Sequence, residues 1–173
     1  MTQGLYNETT NTLNRSDTVS AYLLNSNSPY NIIDSSRGVI RGVTFEIIFK
    51  FNETPSGNYM IKVNHMNSIE TWSKPGGELF TNDSKNYYDF TKTQTQAFGN
   101  NMVLKGTKYC IYSGDVNQDG NIDLTDVVLI NNDARVFSSG YLVTDLNGDY
   151  ITDLTDLLMG FNNSSIFITK ITP

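Results

Sequence analysis

The stretch "GDVNQDGNIDLTDVVLI", residues 114–130, sets Asp115, Asn117, Asp119, Asp123 and Asp126 directly ahead of an apolar run. Calcium is a hard cation that takes about six to eight oxygens, and a loop of about twelve residues supplies them from positions 1, 3, 5, 7, 9 and 12, the seventh through its backbone carbonyl. In that register Asp115, Asn117 and Asp119 fill positions 1, 3 and 5, and Gly120 makes the sharp turn. Asn121 offers its carbonyl, Asp123 sits at position 9 and Asp126 closes the loop at 12. An acidic turn that merely caps a helix would need fewer of these residues.

A second copy lies thirty residues on. "DVNQDGNIDLTDVVLINNDARVF" (115–137) aligns with "DLNGDYITDLTDLLMGFNNSSIF" (145–167), matching Asp115 to Asp145, Asn117 to Asn147, Asp119 to Asp149 and the run Asp123–Asp126 to Asp153–Asp156. An internal repeat of this kind governs the fold. In the second copy Asp145, Asn147, Asp149, the carbonyl of Ile151, Asp153 and Asp156 are the expected ligands. Its position 6 is Tyr150, where the turn requires the positive φ that glycine tolerates, so a strain of about 1 kcal/mol is expected. Its position 8 is Thr152, where the first copy has Ile122, the residue expected to bridge the two loops. Two calcium ions are expected, with the second site weaker. A helix should follow each loop, beginning near Thr125 and Thr155.

Residues 1–112 read as β. In "GVTFEIIFKF" (42–51) Val43, Phe45, Ile47, Phe49 and Phe51 share one phase, the period of two of a half-buried strand. "GNYMIKVNH" (57–65) repeats the pattern with Tyr59, Ile61 and Val63 across the turn residues "ETPSG", which predicts a hairpin. Further strands are expected at 18–24, 31–40, 86–91 and 108–112, and together they predict a small sandwich. The pattern "FKFNETPSGNYMIKV" resembles the prealbumin-like, Ig-like repeats of bacterial surface proteins.

The expected fold class therefore has two domains, an all-β sandwich over 1–112 and a small α domain of two calcium loop–helix repeats over 113–173. Residues 113–173 resemble the type I dockerin domain, whose "D-x-N-x-D-G-x-[IV]-[DN]-x-x-D" signature matches the first loop closely. The resemblance implies a calcium-dependent attachment module that binds a cohesin, with much of the contact carried by loop positions 10 and 11, here Leu124, Thr125, Leu154 and Thr155. It also implies an extracellular or cell-surface setting at the C-terminal end of a larger bacterial protein whose leader is absent from this chain. Two alternatives stay open: a tail docked on its own N-terminal domain without a cohesin, and a glycan-binding sandwich anchored by the tail, for which Trp72, Tyr87 and Tyr88 would form an aromatic platform.

Composition narrows the rest. The chain has 173 residues, of which 38% are apolar, and a net charge of −6. No Lys/Arg cluster tracks a phosphate backbone, so nucleic acid is not an expected partner. No segment approaches the roughly twenty apolar residues that span a bilayer, so no membrane insertion is expected. One cysteine, Cys110, cannot pair internally, and a lone histidine, His65, gives neither a zinc cluster nor an obvious triad, so no enzyme activity is expected.

Overall fold

The computed structural model describes residues 1–173. Its main sheet is antiparallel and has five strands: β3 (Asp17–Asn25), β4 (Ile32–Ile40), β5 (Gly57–His65), β6 (Ser68–Trp72) and β7 (Glu78–Phe80). They lie in the order β4-β3-β5-β6, with β7 pairing the start of β5. Two short ladders flank the sheet, β1 (Tyr6–Asn7) with β2 (Thr12–Leu13), and β8 (Val103–Lys105) with β9 (Lys108–Cys110). The helices are α1 (Leu124–Ala134) and α2 (Leu154–Ser165).

In β3 the inward positions Val19, Ala21 and Leu23 alternate with Thr18, Ser20 and Tyr22, the pleat burying one face. Val19 and Ala21 join one core with Leu5, Tyr6, Leu13, Val63, Ile69, Met102, Cys110 and Ile111. Ile122, from the first acidic loop, belongs to the same core. A second contact layer is formed by α1 and α2, which pack through Ile130 against Gly160, with Val116 and Leu146 beneath them.

The expected fold class is corrected here. The chain is a single β-rich body with two helices, without a separate C-terminal α domain. Its physical reason is the number of buried polar links that tie the helical segment to the strands. Asn163 on α2 donates from Nδ2 to the Ser113 carbonyl and to Gln3 Oε1, both at 2.7 Å. Asn67, between β5 and β6, donates to the Asp145 carbonyl at 3.1 Å, and the Gly4 N–H donates to Ser113 Oγ at 3.0 Å. At Gly4 the close approach excludes any side chain, since a Cβ would sit 1.9 Å from the Leu146 carbonyl oxygen. Buried hydrogen-bonded groups of this kind cannot be pulled apart without exposing unsatisfied partners.

The expected hairpin of 42–51 with 57–65 is also corrected. β5 pairs with β3, β6 and β7, and the phenylalanine-rich segment forms no ladder. It runs past the edge strand β4 with Lys50 N–H bonded to Ser36 Oγ at 3.0 Å, and its Ile47 side chain lies over Gly38. Phe45, Ile47, Phe49 and Phe51 still pack against the core, so the alternation marks burial without marking strand pairing. Of the shorter expectations, 18–24 and 31–40 lie in β3 and β4, and 108–112 overlaps β9, whereas 86–91 is not a strand.

If the chain is one body, a disturbance between Gly4 and Leu146 should be felt throughout. We expect Gly4→Ala to destabilise by about 1–3 kcal/mol, the range of overpacking substitutions. Trp72 fluorescence, reporting the sheet, and helical circular dichroism should shift to a lower melting temperature together. Separate transitions, with only the helical one displaced, would contradict this account.

Candidate metal-binding loops and an exposed helix face

The two acidic loops have nearly the same internal hydrogen bonding. Asn117 Oδ1 accepts the Asp119 N–H at 2.9 Å, and Asn147 Oδ1 accepts the Asp149 N–H at 2.8 Å. Asp119 Oδ1 then accepts from Asn121 N–H, as Asp149 Oδ1 does from Ile151 N–H, both at 2.9 Å. Asp123 and Asp153 cap the helices by accepting the Thr125 and Thr155 N–H groups at 2.7 Å. The position-12 carboxylates reach back: Asp126 accepts from Val116, Asn117 and Asp123 N–H, and Asp156 from Leu146, Asn147 and Asp153 N–H. Each helix start is thus a capping box built into its loop, a device worth about 1 kcal/mol.

Ile122 does not bridge to the second loop as the sequence suggested. Each loop instead pairs with the segment that follows the other repeat's helix. Ile122 N–H donates to the Ile168 carbonyl and Lys170 N–H to the Gly120 carbonyl, both at 2.8 Å. In the symmetric arrangement Thr152 N–H donates to the Ser138 carbonyl at 2.8 Å and Gly140 N–H to the Tyr150 carbonyl at 2.9 Å. The thirty-residue repeat is therefore a crossed pair.

The decisive difference lies at position 1. Asp115 is buried; its Oδ2 accepts the Gly120 N–H at 3.2 Å, but its Oδ1 has no hydrogen-bond partner. Burial, reinforced by the charges of Asp126 and Asp119, pushes its carboxyl up to about 7. Burial also raises Asp156 to about 6, with Asp145 adding to it, and Asp126 moves in the same direction, again through burial. No three His, Cys, Asp or Glu side chains gather into a ready cluster. The donors assigned by spacing are a mixed set of carboxylates, the Asn117 side chain and the Asn121 carbonyl. A buried carboxylate oxygen without a partner is costly unless a cation or proton satisfies it, and Asp115 Oδ1 is such an oxygen.

In the second loop the corresponding carboxylate is fully occupied. Asp145 Oδ1 accepts Gly148 N–H at 2.8 Å, and Oδ2 accepts Tyr150 N–H at 3.0 Å and Arg15 Nη1 at 2.5 Å. Tyr150 does adopt the positive φ expected of position 6, 71° against 93° at Gly120. Arg15 is the residue that sequence reasoning missed. Its one outward sign is the tyrosine itself, whose ring lies 5.4 Å from the guanidinium.

The four expected contact residues are all solvent-facing. Leu124 is 71% and Leu154 64% exposed, and Thr125 and Thr155 beside them are exposed too. Val128, Leu158 and Phe161 extend this apolar surface along the helices. Trp72 is buried, with its indole N–H held by Glu70 at 2.7 Å, so it presents no face to a sugar ring. His65 is also buried, with Nδ1 2.9 Å from Asn67 Oδ1 and Nε2 3.4 Å from Asp17.

The carboxyl shifts set the pH dependence of the metal-free protein. A carboxyl raised from 3.8 to about 7 or 6 makes the native state bind more protons than the unfolded chain across that interval. Stability must then fall as pH rises through it. Asp17 acts in the opposite sense: burial opposes its ionisation, yet the adjacent His65 ring and the Tyr141 hydroxyl that donates to it hold it well below the usual range, so its contribution is lost only in stronger acid. In chelator, we expect the melting temperature to decline between pH 5 and pH 8 and Asp115→Asn to flatten the decline. A melting temperature that rises with pH over this range would contradict the assignment.

No protein-family model and no curated protein matches the chain. Among solved structures, a chain of an N-terminal interface mutant of a type II cohesin–X–dockerin complex from Acetivibrio cellulolyticus is similar to it, with a TM-score of 0.51 and 15% identity over 96% of this chain and 92% of that one. A chain of the C-terminal interface mutant of the same complex gives 0.46 and 16% over 86% and 83%. The first likeness shows the fold and runs through the chain as one unit. The shared fold is β-rich, with no separate C-terminal α domain.

Proposed function

We propose that this chain is a non-enzymatic, extracellular or cell-surface protein-interaction module whose exposed helix face docks a protein partner and whose first acidic loop is set by calcium. The observation that carries this reading is the free position of Leu124–Thr125 and Leu154–Thr155 on helices that pack against each other, with α2 tied to the β body through Asn163. Exposed apolar residues on a rigid support are the ordinary makings of an interface. That the neighbouring structure is a cohesin–X–dockerin complex supports a protein as the partner.

In the first loop, Asp115 Oδ1, Asn117, Asp119, the Asn121 carbonyl, Asp123 and Asp126 would hold the ion. Calcium supplies positive charge that satisfies the buried Asp115 oxygen and offsets the repulsion among Asp115, Asp119 and Asp126. Asp126, as both loop closure and helix-capping residue, passes the order of the loop to α1. Leu124 and Thr125, immediately before it, are thereby fixed for docking. The partner we favour is a cohesin-type β-sandwich; with the roles reversed, a dockerin-type module would be the ligand. The tail's attachment to its own strands is part of the same architecture, since it buries one face of the helices and leaves the other free.

Calorimetric titration of calcium into chelator-stripped protein should show binding that Asp115→Ala removes. Purified cohesin-type and dockerin-type domains should then be titrated with wild type, Leu124→Asp and Leu154→Asp. We expect a cohesin-type domain to bind and each substitution to weaken it by roughly tenfold or more, as burying a charge in a contact centre does. Binding of a dockerin-type domain alone would reverse the partner. Binding of neither would sink the interaction reading.

A further inference from the structure

We infer that Arg15 is a built-in cation for the second acidic loop, setting that loop without metal and leaving the first as the calcium-dependent one. The inference rests on the calcium reading for the first loop alone. The repeats share most of their internal hydrogen bonds, and the contrast that bears on a cation lies in what meets the position-1 carboxylate. Asp115 has a buried oxygen with no partner, whereas every oxygen of Asp145 is engaged and a guanidinium supplies the opposite charge.

The surroundings of Arg15 are built to hold it there. Arg15 is only 6% exposed. Its Nε donates to Asp17 Oδ2 at 2.9 Å while Nη1 reaches Asp145 Oδ2, so its planar fork spans two carboxylates, one from β3 and one from the loop. Tyr141 and Tyr150 place their rings 4.8 and 5.4 Å from the guanidinium, an arrangement that favours a cation. Tyr141 also donates its hydroxyl to Asp17 at 2.5 Å, fixing the carboxylate that orients Arg15. The tyrosine at position 6 thus accepts a left-handed backbone and contributes a ring to the cation site, a trade that Gly120 in the first loop has no need to make.

Residue-resolved amide hydrogen exchange in chelator, with calcium titration alongside, tests this. In the wild type we expect the Gly148 and Tyr150 amides, which donate to Asp145, to stay protected while the Gly120 amide, which donates to Asp115, loses protection. Arg15→Met should lower protection at Gly148 and Tyr150 by about a hundredfold or more, the scale of removing one partner from a buried ion pair. Arg15→Lys, which keeps the charge, should retain part of it and guards against a methionine variant that fails to fold. Calcium should bind the wild type once and be unaffected by Asp145→Asn. Equal loss of protection in both loops on chelation, or a wild-type calcium site abolished by Asp145→Asn, would overturn the inference. If no calcium binds at all, the first-loop reading fails separately, and protection at Gly148 and Tyr150 in the Arg15 variants still decides the role of Arg15.

Discussion

The buried ion pair between Arg15 and Asp145 joins the start of the main sheet to the second acidic loop, and much of the arrangement follows from it. Isolating either charge in the interior would be expensive; Asp17 takes up Arg15 Nε, the loop amides engage both Asp145 oxygens, and the Tyr141 and Tyr150 rings lie beside the guanidinium, whose Nη2 has no hydrogen-bond partner. The pair holds the second loop against the strands. Gly4 and Asn67 then close around the same loop from two other segments. With the second repeat fixed, α2 presents Asn163 to Ser113 and Gln3, and the whole helical segment becomes part of the β body.

The internal repeat builds symmetry within that frame, and the frame then makes the two copies unequal. Capping boxes and side-chain turns are shared almost atom for atom, because they depend on residues a few positions apart that both copies retain. What differs is contact with the rest of the chain: the first loop sends Ile122 into the main core, and the second lies under Arg15. Equal sequence motifs therefore stand in unequal electrostatic settings, one short of a positive charge and the other supplied with one.

This division also explains how much was legible in the sequence. The loops and the helix starts depend on local spacing, and a repeat makes local spacing readable, whereas the exposure of Leu124, Thr125, Leu154 and Thr155 depends on how the helices pack and is seen only in the structure. The phenylalanine-rich segment at 42–51 misled because alternation reports which side is buried and is silent on which strand lies alongside. Its residues do face the core, but β5 found β3, β6 and β7 as neighbours. The expectation of a separate α domain failed for a related reason. Arg15, Asn67 and Asn163 act across distant parts of the chain, and a polar residue engaged in such a contact looks in sequence like any solvated one.

The crossed pairing of the loops carries a consequence for the order of assembly. The second loop takes its backbone partners from residues 138–140, only a short way before it, while the first must wait for residues 168–170, beyond both helices. Nearby partners meet sooner because less chain entropy is lost in closing the intervening segment. During synthesis from the N-terminus, the Arg15 side chain and the 138–140 segment both exist before the second loop emerges. The later loop in the sequence is thus the first that can be completed, and the earlier one, with its unsatisfied carboxylate, is the last to close.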